Sequence, residues 1–157
     1  MTDRTVRAGR ILVVDDDQSI RQTIISMLAS DGLECREAAS GVEALAVLES
    51  GEEFELMLAD LMMPDLDGIG LLERSKSKYP DMPVVIVTSM SDISVALATI
   101  RNGGHDYLMK PFEREQLLAF ARRALEYRRR KLEHRAYVSS LESQVATLTE
   151  ELRTRKS

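Results

Sequence analysis

The sequence predicts an α/β protein: five parallel strands in a doubly wound sheet, helices on both faces, and a long helix at the C-terminal end. Three observations predict it. Short apolar, β-branched runs alternate with longer stretches of helical spacing, in roughly five strand–helix units. Several of the short runs are apolar at every position, as strands covered on both faces require. From Glu113 onward the chain reads only as helix.

The elements follow in order. RILVV (10–14) is a buried strand, and SIRQTIISMLAS (19–30) has helical spacing. LECREA (33–38) alternates and is a weaker strand. SGVEALAVLES (40–50) opens with Ser40 and Glu43 at capping-box spacing and starts a helix. FELMLA (54–59) is the third strand and GIGLLERSKSKY (68–79) the next helix. PVVIVT (83–88), apolar until Thr88, is the most strand-like run. SDISVALATIRNG (91–103) is a helix with Ser91 expected at its N-cap and Gly103 near its end. HDYLM (105–109) is the last strand.

At 44% hydrophobic and 30% charged, the chain of 157 residues can bury a core and is not of disordered composition. The single Cys35 excludes an internal disulfide framework and a thiolate zinc site. The start, MTDRTVRAGR, has no apolar signal-peptide core, and no apolar run approaches membrane-spanning length. A cytoplasmic protein with no membrane contact is expected. Charge is split: residues 1–112 hold 10 Lys and Arg against 19 Asp and Glu, and residues 113–157 hold 11 against 7. An acidic body carries a mildly basic tail.

In open parallel sheets ligands bind at the carboxyl ends of the strands, near the switch in strand order. Strand one ends in Asp15-Asp16-Asp17, strand three in Asp60, strand four in Thr88-Ser89 and strand five in Lys110-Pro111. An Asp after a strand is ordinarily the N-cap of the next helix, which suits Asp17. Asp65 and Asp67 flank Pro64 and Gly68 in turn chemistry. Capping does not explain Asp15, Asp16 and Asp60 converging at neighbouring strand ends. Like charges there repel, and a cation is the simplest remedy; hard oxygen ligands favour Mg²⁺ over a transition metal. A metal-bound carboxylate beside a lysine suits phosphoryl transfer.

ILVVDDD, LADLMMPDLDG, VVIVTS and DYLMKPF, in that order and spacing, resemble the response-regulator receiver domain of two-component signalling over about residues 9–127. The resemblance implies a flavodoxin-like sheet of order 2-1-3-4-5, and Asp60 as the acceptor of a phosphoryl group from a sensor histidine kinase. It implies Mg²⁺ held by Asp15, Asp16, Asp60 and the backbone carbonyl of Met62. It also implies Thr88 and Tyr107 as a switch pair, Lys110 on the phosphoryl group, and a cis bond before Pro111. Such a domain catalyses only its own phosphorylation and dephosphorylation and is not an enzyme on other substrates. Gly104 and Ser89 stand where the family often has Ala, and both are expected to be small residues beside the site. His105 and His134 are expected to be ordinary exposed residues.

Three rival classes fit less well. A phosphatase of the haloacid-dehalogenase type would use Asp15 as nucleophile, but Asp60 would be idle and no acidic pair follows Lys110. A mononucleotide binder would need a phosphate-cradling loop after strand one, where three aspartates repel phosphate. Direct nucleic-acid binding through RRRK (128–131) is not expected, since four consecutive helical positions point all round the helix; a solvated helix surface is expected there.

The final helix has two apolar sets. Leu118, Ala121, Leu125 and Leu132 are expected to pack on the sheet, within a receiver domain of residues 9–127. Val138, Leu141, Val145, Leu148 and Leu152 follow three–four spacing, out of phase with the first, in an extension of residues 128–157. They form a short coiled-coil seam for a parallel homodimer. The chain is expected to be either a stand-alone signalling protein or the leading portion of a longer regulator. A receiver followed by such a helix resembles regulators whose output enzymes make or break cyclic di-GMP.

Overall fold

The computed structural model describes residues 9–90 and 92–156. Five strands, β1 (Arg10–Val14), β2 (Glu34–Ala38), β3 (Leu56–Asp60), β4 (Val84–Thr88) and β5 (Asp106–Met109), alternate with five helices. These are α1 (Gln18–Ala29), α2 (Gly41–Glu49), α3 (Gly68–Lys78), α4 (Ile93–Arg101) and α5 (Arg114–Lys156). Every strand pair is parallel and the order is β2-β1-β3-β4-β5, the flavodoxin-like sheet the sequence predicts.

That order positions the site. The chain steps from β1 to β2 on one side and returns to β3 on the other, so the switch lies between β1 and β3. Val14 pairs with Ala59, and the next residues along the two strands are Asp15 and Asp60. Adjacent parallel strands lie about 4.8 Å apart, so the two carboxylates emerge side by side.

Side-chain alternation sends each strand into both layers. Leu12, Val14, Met57, Ala59, Val84 and Ile86 form one core with α2 and α3. Ile11, Val13, Leu56, Leu58, Val85 and Val87 form the other with α1 and α5. The central strands β3 and β4 are buried at every position, which explains why they are apolar up to Asp60 and Thr88 at their ends. The weakly apolar ECREA segment is the edge strand, with only Ala38 fully buried.

Caps define the helix starts. Asp17 accepts from the Ser19 and Ile20 amides, Ser40 from Glu43 and Asp67 from Gly70. The Glu43 carboxylate reaches back to the Ala39 amide (2.7 Å), one residue beyond its place in a capping box. Helix α4 is capped by Asp92, not Ser91; Ser91 lies outside the described residues. Among the described residues no helix is long and apolar enough to cross a membrane.

Helix α5 continues for 43 residues without interruption across the 127/128 boundary. Leu117, Leu118, Ala121 and Ala124 are buried on the sheet, and Leu125 packs against them. Leu132 is half-buried outside that cluster, and beyond Arg135, which pairs with Asp81, Val138, Leu141, Val145, Leu148 and Leu152 are all exposed. The RRRK segment is not uniformly solvated. Arg128 turns inward to Glu55 (3.7 Å) and Lys131 to the Pro80 carbonyl (3.2 Å), while Arg129 and Arg130 pair with Glu126.

Two small expectations change. His105 is half-buried, its ring tilted against Tyr127 at 4.9 Å, and burial lowers its pKa. Its neighbour Gly104 sits at the start of β5, the opposite end of the strand from Lys110, so its small size does not serve the site. A Cβ on Gly104 would lie 2.5 Å from Thr99 Cγ2 and 2.8 Å from the Thr99 carbonyl oxygen. Thr99 is fully buried and its hydroxyl donates to Val95 O (2.9 Å), so it has little freedom to yield. Gly104→Ala is therefore expected to cost about 1–3 kcal/mol of stability through overpacking. Adding Thr99→Ser, which removes the clashing methyl, should recover part of that loss; urea unfolding of the two variants checks both statements.

Candidate functional site

Asp15 continues β1 by one residue: its amide donates to the Ala38 carbonyl (3.2 Å), so the backbone is still held in the sheet. The residue is 1% exposed. One carboxylate oxygen accepts from the Asp17 amide (2.9 Å) and the other from Lys110 Nζ (3.1 Å). Asp60, last residue of β3 and 7% exposed, accepts from the same ammonium at 3.2 Å. Lys110 is placed by its own backbone, whose amide donates to Thr88 O (2.7 Å), and the Lys110–Pro111 bond is cis. Asp16 is exposed, yet one ligating oxygen from each of Asp15, Asp16 and Asp60 falls within 4.8 Å of the others.

One ammonium thus serves two nearly buried carboxylates with a third beside them. Burial raises the Asp60 pKa first, and the Asp15 charge raises it further; Lys110 opposes both and does not cancel them. Burial alone would lower the Lys110 pKa, but the hydrogen bond and charge of Asp15, with the charge of Asp60, raise it overall. The ammonium therefore stays protonated. The excess negative charge, on hard oxygen donors, is the arrangement that a small divalent cation relieves.

Thr88 and Tyr107 both hold one residue, Met90. The Thr88 hydroxyl, 1% exposed, accepts from the Met90 amide (3.1 Å), and the Tyr107 hydroxyl donates to the Met90 carbonyl. Met62 lies two residues beyond Asp60 with its side chain 62% exposed. Ser89 is exposed and lines a surface recess with Lys110, Pro111 and Phe112. Asp65 does more than turn the chain: it accepts from the Val42 amide (3.1 Å) and so ties the β3–α3 loop to the start of α2.

Three supporting residues escaped the sequence reading. Arg21 donates to the Asp15 carbonyl (2.7 Å) and pairs with Glu37 (2.8 Å), bracing β1 against β2 from beneath α1. Only the register that pairs Val13 with Glu37 brings these groups together. Gly68 passes so close to Asp60 that an added Cβ would stand 2.5 Å from the Asp60 carbonyl oxygen, while its amide donates to Leu61 O (2.9 Å). The Asp-Gly turn was visible in the sequence, but not what it approaches.

Comparison with known proteins agrees with this geometry. The family described as the response regulator receiver domain matches residues 11–122. The chain is 38% identical over 124 residues to the DNA-binding transcriptional regulator NtrC of Proteus hauseri, covering 79% of this chain and 26% of that protein. It is 40% identical over 116 residues to the response regulator MprA of Mycobacterium avium, covering 74% of this chain and 50% of MprA. It therefore spans between about a quarter and a half of these curated relatives. The crystal structure of a CheY-like receiver domain protein from Methanospirillum hungatei superposes with a TM-score of 0.75 at 32% identity, covering 79% of this chain and 98% of that one. With the family's sequence matched over most of the sheet and helices, and its fold reproduced strand for strand, the chain belongs to the response regulator receiver domain family.

Proposed function

We propose that Asp60 accepts a phosphoryl group from a sensor histidine kinase and that the modified state is relayed through α5. The observation that carries this is Lys110 Nζ at 3.2 Å from Asp60 Oδ1, inside a cluster of three carboxylates. A carboxylate oxygen of Asp60 attacks phosphorus, the bond from phosphorus to the kinase imidazole breaks, and its electron pair stays on the ring nitrogen. Lys110 neutralises charge on the transferring group. Asp15, Asp16, Asp60 and the Met62 carbonyl would hold Mg²⁺, whose contribution when bound is further neutralisation of phosphoryl oxygen charge. Hydrolysis of the acyl phosphate restores Asp60, so the domain catalyses only its own modification and release. A phosphatase using Asp15 is the poorer reading, because Asp15 spends one oxygen on the Asp17 amide and the other on Lys110.

Relay starts at Met90. A phosphoryl group on Asp60 competes for the Thr88 hydroxyl, which then loosens the Met90 amide; Tyr107, holding the other end of Met90, follows. Tyr107 belongs to β5, which contacts both α4 and the last helix. The next partner is a second copy of the chain. The seam of Val138, Leu141, Val145, Leu148 and Leu152 faces about 140° around the helix from the buried face of α5, at about 100° per residue. Pairing along it leaves both receiver bodies outside the coiled coil. Its seven-residue row of Leu141 and Leu148 continues backward through His134 to the half-exposed Tyr127. Each large side chain buried there contributes roughly 1.5–3 kcal/mol. As the chain spans only part of its relatives, an output domain beyond residue 157 belongs to the same reading.

Incubation with acetyl phosphate and Mg²⁺ is expected to add one phosphoryl group, and Asp60→Asn to abolish it. Mass spectrometry decides; a group retained in Asp60→Asn and lost in Asp15→Asn would reinstate the phosphatase.

Because the folded-state pKa of Asp60 is raised, this group's contribution to stability is complete below the ordinary Asp value and is lost as pH rises through the raised one. In EDTA, melting temperature should fall with pH more steeply in wild type than in Asp60→Asn. Adding Mg²⁺ at one hundred times its Kd should return about 2.7 kcal/mol, and much less in Asp15→Asn. Equal pH slopes in the two proteins, or no response to Mg²⁺, would count against the cation reading.

Sedimentation should show the intact chain as a dimer at micromolar concentration and a chain ending at Arg130 as a monomer. If both are monomers, with and without a phosphoryl mimic, the pairing is wrong.

A further inference from the structure

The basic residues Arg128, Lys131 and Arg135 fall at i, i+3 and i+7 on α5, which puts them on one stripe. That stripe meets the end of the sheet opposite Asp60. Arg135 donates through both terminal nitrogens to Asp81, 2.6 Å from each carboxylate oxygen, a two-point contact that fixes direction as well as distance. Lys131 donates to Pro80 O (3.2 Å) and stands 3.9 Å from Asp81. Arg128 lies 3.7 Å from Glu55, just before β3, with its side chain 22% exposed. Lys76, from α3, closes the same turn by donating to Pro80 O (3.1 Å) and Met82 O (3.4 Å). Arg135 holds the Asp81 carboxyl below the ordinary range, so the contact persists through neutral pH.

We propose that the α3–β4 turn, Pro80 and Asp81 with Glu55 beside it, is an electrostatic clasp that sets the exit direction and rotational phase of α5. The physical need is plain from the packing. Among the described residues Leu125 is the last side chain of α5 packed in the apolar core; Leu132 is half-buried outside it, and the helix beyond is exposed. Without a further hold, the last apolar contact is a pivot. Twenty-one residues from Arg135 to Lys156 make a lever of about 32 Å, so a tilt of about 10° moves its end by about 5 Å. A seam with five apolar positions needs a fixed phase to pair in register. Single exposed ion pairs contribute little to stability, but a bidentate contact with two flanking basic groups fixes geometry. The clasp stands at the end of the sheet away from the phosphoacceptor, so it holds the helix while the face near Met90 changes. Its consequence for pairing rests on the dimer reading above; the clasp itself does not.

Spin labels at Glu73→Cys on α3 and Ser143→Cys on α5, in a Cys35→Ala chain diluted with unlabelled protein, report the helix direction within one molecule. A single narrow distance distribution is expected at low salt. Its width should at least double in Arg135→Ala and in about 1 M NaCl, where screening acts within about 3 Å. Arg135→Lys, which keeps the charge and loses the fork, should fall between. Unchanged width and mean in both Arg135→Ala and high salt overturn the clasp. Sedimentation of the same samples separates the two readings. A monomer with a narrow, salt-sensitive distribution refutes pairing and supports the clasp, and a dimer with a salt-insensitive distribution does the reverse.

Discussion

Two carboxylates forced together at the ends of adjacent strands are the constraint around which the rest is arranged. Asp15 and Asp60 are both nearly buried and share a single ammonium, with Asp16 beside them. Nothing about folding favours this. Burial and mutual repulsion make the charged Asp60 costly, and the raised Asp60 pKa records that cost. The surroundings oppose collapse of the arrangement at every side: the sheet pairing carries on to the Asp15 amide, Arg21 holds the Asp15 carbonyl, and the Gly68 amide ties down Leu61. An anionic centre held open in this way is available to a cation and a phosphoryl group because the protein itself does not neutralise it.

The same placement links Asp60 to the loop before a helix. Lys110 is anchored to Thr88 by its amide, so the ammonium beside Asp60 and the Thr88 hydroxyl are held together at the ends of β5 and β4. Thr88 and Tyr107 hold opposite ends of one peptide residue, Met90. Met90 leads into α4, whose N-cap is Asp92. That helix is suited to move: only Thr99 on it is fully buried, while Ile93, Leu97 and Ile100 face outward.

Helix α5 joins two environments in one rod. Its first turns belong to the receiver core, and its last turns carry a row of apolar side chains left exposed among the described residues. Between them the hold on the body passes from apolar side chains to charged ones. This division suits a signalling helix, since ionic contacts define an angle and a phase at little cost to release.

Much was legible in the sequence because it depends on local rules. Short apolar runs marked the buried strands, helical spacing marked the helices, and strand-end aspartates with a strand-end lysine marked the site. The seam was equally plain as a spacing. What the sequence left open depends on register and on approach between distant segments. His105 looked exposed because no rule of spacing placed Tyr127 over its ring, and Gly104 looked like part of the site until its closeness to Thr99 was seen. RRRK looked solvated because its four consecutive side chains diverge; the stripe that matters skips to Arg135, and only the turn at Asp81 gives it meaning. Residue identity and period determined which elements form and which groups are chemically able. The tertiary structure alone decided which groups meet, because contacts between Arg21 and Glu37 or between Arg135 and Asp81 are set by strand register and helix direction, which the packing of the whole chain determines.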